Sequence, residues 1–268
     1  AWSPDLHLSY NYTCHFVGFR RELLNQLQGW RLGFDGAQDY DLALRVTERT
    51  DRIVHIPRNL YHWRVIEGST AAGVDQKSDA WDAGRRSLVE AMERRGLEAK
   101  VEEGRNRGTY CVSYPVMGRP KVGVIIPTRD RIKMLSAAVD DLHDRTAWDE
   151  LEIMVVDNES VEPDTIEWLN EHDGPIIDYP HQFSYARMMN LAAEQIDADL
   201  LLFLNNDVDV HSPGWITSMI GYAQQQRVGA VGARLLFPDG RVQHEGVVLG
   251  VGGVAGNVDS RDYFSLGM

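Results

Sequence analysis

Asn205-Asn206-Asp207-Val208-Asp209 follows directly on Leu200–Leu204, so short amide and acidic side chains stand where an apolar run stops. An unbroken apolar run of that length suits a strand covered on both faces of a parallel sheet, and ligands of such sheets collect beyond the carboxyl ends of the strands. Asp207 and Asp209, two residues apart, offer hard oxygen ligands for Mg²⁺ or Mn²⁺ and, through the metal, a hold on a diphosphate. The same Asn-Asn-Asp also serves as a turn before the helix that Ser212-Pro213 starts, so the motif alone leaves both readings open.

The elements around it recur in a regular order. Val122–Pro127 reads as a buried strand, Ile132–Arg145 as an amphipathic helix, Leu151–Val156 as a strand, and Pro163–Glu171 as a helix. Pro175–Tyr179 reads as a short strand, Ser184–Gln195 as a helix, and Asp199–Leu204 as the strand that ends at the acids. Strand and helix in alternation predict a mostly parallel sheet with right-handed crossovers, an α/β fold of Rossmann-like type. Polar residues fall just after the strands each time, at Thr128-Arg129-Asp130, at Asp157-Asn158 and at Asn205 to Asp209. No GxGxxG or GxxxxGK[ST] follows the first strand, which disfavours dinucleotide and P-loop sites. Beyond these, a helix over 213–225, a strand over 228–233 and a hairpin turning at Asp239-Gly240 are expected. The glycine-rich 250–256 reads as a flexible loop near the site, and the last ten residues end without a clear stop.

The part before Lys121 is of another kind. Arg20–Leu27 reads as a short helix stopped by Gly29, Gly36–Val46 as a second helix, and Arg52–Pro57 as a short strand followed by the aromatic Leu60–Arg64. Asp39 and Asp41 lie in the first turn of the second helix, where acids ordinarily complement the helix dipole, and an isolated His62 is ordinarily a packed histidine. Residues 71–120 read as a linker, with a helix from Ser78 to about Arg95 and a strand or hairpin over 104–120.

Bulk properties bound the partners. A net charge of −13 without clustered Lys and Arg argues against nucleic acid. Cys14 and Cys111 make neither a disulfide framework nor a metal-ligand spacing, which points to a reducing compartment. No signal peptide and no apolar run near the roughly 18 residues that would span a bilayer is present. A cytoplasmic protein, free or attached peripherally to the inner membrane, is expected.

Val124–Asp130, Val155–Ser160, Phe183–Arg187 with Asn190, and Leu202–Val208, in this order and spacing, resemble the family 2 glycosyltransferases of GT-A fold, in their bacterial polysaccharide or O-antigen branch. The resemblance runs from about Lys121 to Gly256. It implies that Thr128, Arg129, Asp130, Asp157, Asn158, Arg187, Asn190 and Asn206 bind the nucleotide of a sugar donor. It also implies that Asp207 carries the divalent metal, with Asp209 a second contributor because Asn205 stands where the family has its first acid. Asn11–Arg21, Gly29-Trp30 and Gln38–Arg45 resemble the acceptor-side segment that normally follows that half. There Asp39 matches the catalytic base, with Gln38 in place of the usual glutamate, and His62 matches a histidine that completes some metal sites. Residues 1–70 are thus expected to be the acceptor half, 71–120 a linker and 121–268 the nucleotide half, in inverted order. Either the stretch comes from a tandem enzyme, or the halves assemble as a permuted domain or by swapping between two chains.

The function this implies is inverting transfer of a sugar from a nucleoside diphosphate donor, UDP or dTDP, to a hydroxyl of a glycan or lipid-linked acceptor, with Mg²⁺ or Mn²⁺. A non-catalytic binding module and a sugar nucleotidyltransferase are the alternatives, the second weakened by the lack of a glycine-rich, lysine-bearing loop after the first strand.

Overall fold

Apolar residues at helical and strand spacing sort the chain into two cores. The computed structural model describes residues 2–14, 16–56, 58, 60–62, 78–249 and 255–257, and its contacts divide the chain into two units, Ala1–Pro115 and Val116–Met268.

In the first unit, α1 (Pro4–Ser9) starts at Ser3, whose hydroxyl accepts the Leu6 N–H at 3.4 Å, with Pro4 in the first turn where its missing N–H costs nothing. The next helix, α2 (Arg21–Gln26), is left through Gln28 and Gly29, both at positive φ, and the Gly29 N–H donates back to the Leu24 carbonyl at 2.9 Å. A third helix, α3 (Gln38–Thr47), is buried along most of its length through Tyr40, Leu42, Leu44 and Val46. Against it packs α4 (Ser78–Arg94), whose Leu88, Ala91 and Met92 form an apolar stripe at helical spacing. A hairpin of β1 (Lys100–Glu103) and β2 (Tyr110–Ser113) closes the unit, burying Val101, Tyr110 and Val112. The helix and hairpin expected within a linker therefore pack inside this unit, while 71–77 lie outside the described residues. The strand expected over 52–57 has no ladder partner among the described residues, and a strand without a neighbour is not a strand.

The second unit is the parallel sheet the alternation predicts. Its strands β3 (Val122–Thr128), β4 (Leu151–Asp157), β5 (Ile176–Asp178) and β6 (Leu200–Phe203) run in the order β5-β4-β3-β6, all parallel. Between β3 and β4 runs α5 (Ile132–Arg145), α6 (Pro163–Glu171) precedes β5, α7 (Tyr185–Gln195) precedes β6, and α8 (Trp215–Ala223) follows it. Val122, Val124 and Ile126 face Leu135, Val139 and Leu142 of α5 and Ile216 and Ile220 of α8. On the other face Ile125, Met154 and Val156 meet Met188, Met189 and Ala192 of α7. Burial on both faces is why β3 and β4 read as unbroken apolar runs, each fully buried Val, Ile or Leu contributing about 1.5–3 kcal/mol. β7 (Leu235–Leu236) and β8 (Val242–His244) form the hairpin around Asp239-Gly240, with Gly240 at φ +83°. β9 (Val247–Leu249) pairs antiparallel with β10 (Ala255–Asn257), so the end of the expected flexible loop is a strand. Residues 228–233 carry no ladder among the described residues, which corrects the strand expected there.

Candidate functional site

Parallel strands deliver their last residues to one edge, and register decides which meet. Thr128 at the end of β3 stands beside Asp157 at the end of β4, and Asp157 beside Asp178 of β5. β6 stops one residue before Leu204, whose N–H donates to the Ile125 carbonyl at 3.0 Å, so 205–209 emerge next to Thr128. Asn206 Nδ2 donates to Thr128 Oγ1 at 3.2 Å, and that buried hydroxyl donates to the Asp130 carbonyl at 3.1 Å.

The loop after β4 is built on the same residues. Ser160 donates its hydroxyl to the Asp157 carboxylate and accepts the Asp130 N–H at 2.7 Å. Asp130 Oδ1 accepts the N–H groups of Val161 and Glu162 at 2.7 and 2.8 Å, just ahead of α6. Those two amides, more than the nearby Arg129, hold the Asp130 carboxyl below the usual carboxylate range. Asp130, Arg131 and Glu159 sit at φ 56°, 64° and 59°, a conformation costly for residues with a Cβ and held here by the hydrogen bonds around it.

Asn158 is buried at 1% exposure, donates Nδ2 to the carbonyls of Tyr179 and His181 at 3.1 and 2.9 Å, and leaves its Oδ1 without a partner. Its side chain faces inward and ties the end of β4 to the segment after β5.

The structure thus brings Thr128, Asp130, Asp157 and Asn206, with Ser160, into one hydrogen-bonded set, which Asn158 joins only through its backbone N–H to the Thr128 carbonyl at 2.9 Å. Arg129, Arg187, Asn190, Asp207 and Asp209 are exposed and make no side-chain hydrogen bond or ion pair among the described residues. Arg187 and Asn190 lie three residues apart on α7. Asp207 and Asp209 remain open to a ligand, but among the described residues no group of three or more His, Cys, Asp or Glu side chains converges as a cage. Ser160 is the member that residue-by-residue reading passed over; its signal is the Asp-x-x-Ser spacing, which lets a hydroxyl return to the acid three residues earlier.

Asp39 and His62 belong to the first unit. Asp39 opens α3, half-buried, with Oδ1 accepting the Tyr40 N–H at 2.8 Å. It lies close enough to Cys14 that its charge, after burial, pushes that thiol up. His62 is exposed. A cleft of about 520 Å³, lined by Arg20, Arg49 and Arg52 with Phe19, Leu23 and Val46, opens beside the outer half of α3. It holds no member of the expected site.

Residues 123–247 match the glycosyl transferase family 2 model. The chain is 45% identical over 264 residues to the O-antigen biosynthesis protein RfbC of Myxococcus xanthus, covering 96% of this chain and 20% of that protein. It is 41% identical over 264 residues to the uncharacterized protein y4gI of Sinorhizobium fredii (strain NBRC 101917 / NGR234), covering 96% of this chain and 29% of that one. The chain therefore spans under a third of the length of these relatives, and both alignments run through the two units together. Among solved structures it resembles the mannosyltransferase PcManGT of Pyrobaculum calidifontis in complex with GDP-Man and Mn²⁺, at 20% identity and a TM-score of 0.41, over 47% of this chain and 39% of that one. Among the described residues no helix is long and apolar enough to cross a membrane.

Proposed function

We propose that the second unit binds the diphosphate and nucleoside of a sugar donor, and that the chain serves a glycosyltransferase of polysaccharide synthesis. The observation that carries this reading is the shared edge of β3, β4 and β6. There, inside the stretch that matches family 2, Thr128, Asp157 and Asn206 are held by one hydrogen-bond set while Asp207 and Asp209 stay open beside them.

The donor chemistry suits a divalent cation. Two exposed carboxylates with amides beside them are hard oxygen ligands, and Mg²⁺ or Mn²⁺ commonly takes one or two carboxylates and completes its shell with phosphate and water. When bound, such an ion neutralises charge gathering on the leaving diphosphate. Around it, Asp157 accepts hydrogen bonds from the donor's base or ribose, and Arg187 and Asn190 present a positive and an amide group to phosphate oxygens. Asp39, in the first unit, takes the proton of the acceptor hydroxyl as it attacks, with inversion at the anomeric carbon. The similarity to the O-antigen biosynthesis protein RfbC of Myxococcus xanthus supports an acceptor that is a growing glycan or its lipid-linked form.

The test is thermal stability with UDP-, dTDP- and GDP-sugars, each with Mn²⁺ and with EDTA, since a ligand of the native state raises the melting temperature by mass action. A metal-dependent shift with one nucleotide, lost in Asp207→Ala and kept in Asp39→Asn, is expected. Hydrolysis or transfer of the donor, lost in Asp39→Asn, separates an enzyme from a binder. Equal loss of binding in both variants refutes this division of roles.

A further inference from the structure

The cleft of the first unit, at about 520 Å³, has the volume of a small-molecule site, for which about 300–1,000 Å³ is usual. Its lining comes from two stretches, one around the start of α2 with Phe19, Arg20 and Leu23, the other from the outer half of α3 onward with Val46, Arg49 and Arg52. In a chain of 27 basic and 40 acidic residues this lining is reversed in sign, three arginines against the one acid Glu22. Elsewhere in the unit Arg45 and Arg94 are spent on carboxylates at 2.9 and 2.7 Å, whereas the three cleft arginines make no ion pair among the described residues. The cleft also continues the face of α3 that Asp39 opens. Ala43 and Val46, four and seven residues further, share that face and line the cleft, about 6 and 10 Å along the helix axis. Thr13 lines it too, and the thiol of the next residue, Cys14, feels the charge of Asp39.

We propose that this cleft holds the acidic group of a charged glycan acceptor, a carboxylate or phosphate on a sugar residue beyond the one that receives the transfer. A guanidinium is planar, always charged and presents paired N–H donors that match both oxyanions. Three such groups around one cleft repel one another; an oxyanion among them offsets that repulsion and a neutral sugar does not. Trp2 and Phe19, also in the lining, supply the aromatic surface on which the C–H face of a sugar ring packs. Thr50 Oγ1 accepts the Arg52 N–H at 3.1 Å and so shapes the turn that brings Arg52 to the cleft. The position of the acid follows from the helix. An acceptor hydroxyl at Asp39 lays the rest of the glycan along α3, and Arg49 and Arg52 come only after the helix has ended, farther from Asp39 than one sugar ring spans. Naming the ligand an acceptor rests on the reading of Asp39 as the base; the anion site rests on the cleft alone.

Isothermal titration of the whole chain, without nucleotide sugar or metal, compares tri-galacturonate, glucose 1-phosphate, maltotriose and inorganic phosphate. Tri-galacturonate or glucose 1-phosphate is expected to bind at least about tenfold tighter than maltotriose, and the tighter of the two tells carboxylate from phosphate. Arg49→Gln and Arg52→Gln each weaken that binding about tenfold, and Arg49→Lys, which keeps the charge without the fork, falls between. Arg85→Gln, whose guanidinium pairs with Asp82 on α4 and does not line the cleft, changes it less than about twofold. Arg49 and Arg52 are exposed, so the urea midpoints of their variants match that of the unmodified chain and a loss of binding is not a loss of fold. Equal affinity for maltotriose, inorganic phosphate bound as tightly as glucose 1-phosphate (an adventitious ion only), no binding of any probe, or no greater loss in the cleft variants than in Arg85→Gln overturns the proposal. A melting shift with a nucleotide sugar alongside any of these leaves the donor reading in place, and charged-glycan binding without such a shift does the reverse.

Discussion

Replacing Arg45 with methionine tests what holds α3 in place. Arg45 is 6% exposed and donates from Nε to Asp41 Oδ2 at 3.0 Å, and from its two terminal nitrogens to the carbonyls of Leu27 at 2.9 Å and Gly29 at 2.8 Å. Asp41 is fully buried and has one other partner, Arg31, which also reaches Glu90 of α4 at 2.6 Å. Three hydrogen bonds to a charged group, taken at the low end of about 1.5 kcal/mol each, sum to about 4–5 kcal/mol. Arg31 keeps half of the carboxylate satisfied and water reaches the half-buried carbonyls, so the loss settles at about 3 kcal/mol, the low end for breaking a buried ion pair. Arg94→Met is the control. It removes a two-pronged contact to Glu48, 2.7 and 2.9 Å long, at the exposed rim of the same α3 and α4 pair, and such surface pairs contribute under about 1 kcal/mol. Hydrogen exchange of the α3 amides reads both directly. Arg45→Met lowers their protection roughly hundredfold, the ratio that about 3 kcal/mol gives, and Arg94→Met less than about fivefold. Equal effects from the two would refute the claim that burial, rather than the number of bonds, sets their weight.

Three further outcomes follow from single contacts. His7 is buried against Trp2, Tyr12 and Tyr40, neither ring nitrogen has a partner, and burial, then the charge of Arg95, lowers its pKa from 6.5 to about 4. The unfolded chain binds this proton first, so the first unit loses about 3 kcal/mol as pH falls from 6.5 to 4, and His7→Phe flattens that limb of a urea-midpoint against pH plot. In Gly84→Ala the new methyl would stand 1.9 Å from the Tyr110 hydroxyl, which donates to the Trp81 carbonyl at 3.0 Å. The usual gain of roughly 1 kcal/mol for alanine over glycine in a helix then turns into a loss, read as a lower melting temperature. Thr128→Val keeps the shape but removes the hydroxyl that joins Asn206 to the Asp130 carbonyl; it costs about 1 kcal/mol of stability and weakens nucleotide-sugar binding several-fold by isothermal titration, against no change if that link does not shape the site.

What the sequence disclosed and what it withheld divide along one physical line. The sheet of the second unit was legible because Val122–Thr128 and Leu151–Asp157 are buried on both faces, and such burial writes itself as unbroken apolar runs with polar residues just beyond. The reading failed where a strand depends on a partner distant in sequence. Arg52–Pro57 and Val228–Ala233 have strand composition, but composition does not supply a neighbour, and neither has one among the described residues. Within the site, spacing identified Thr128, Asp157 and Asn206 as neighbours but not their duties. Asp130 and Asn158 share the expected loops, yet the first spends one carboxylate oxygen on the amides ahead of α6 and the second turns inward to the carbonyls of Tyr179 and His181. The acids of α3 show the same limit. Asp39 and Asp41 look alike in a first turn, and only packing distinguishes a half-buried acid bonded to its own turn from a buried one held by two arginines. Sequence period tells which face of an element is covered; the groups that cover it come from elsewhere.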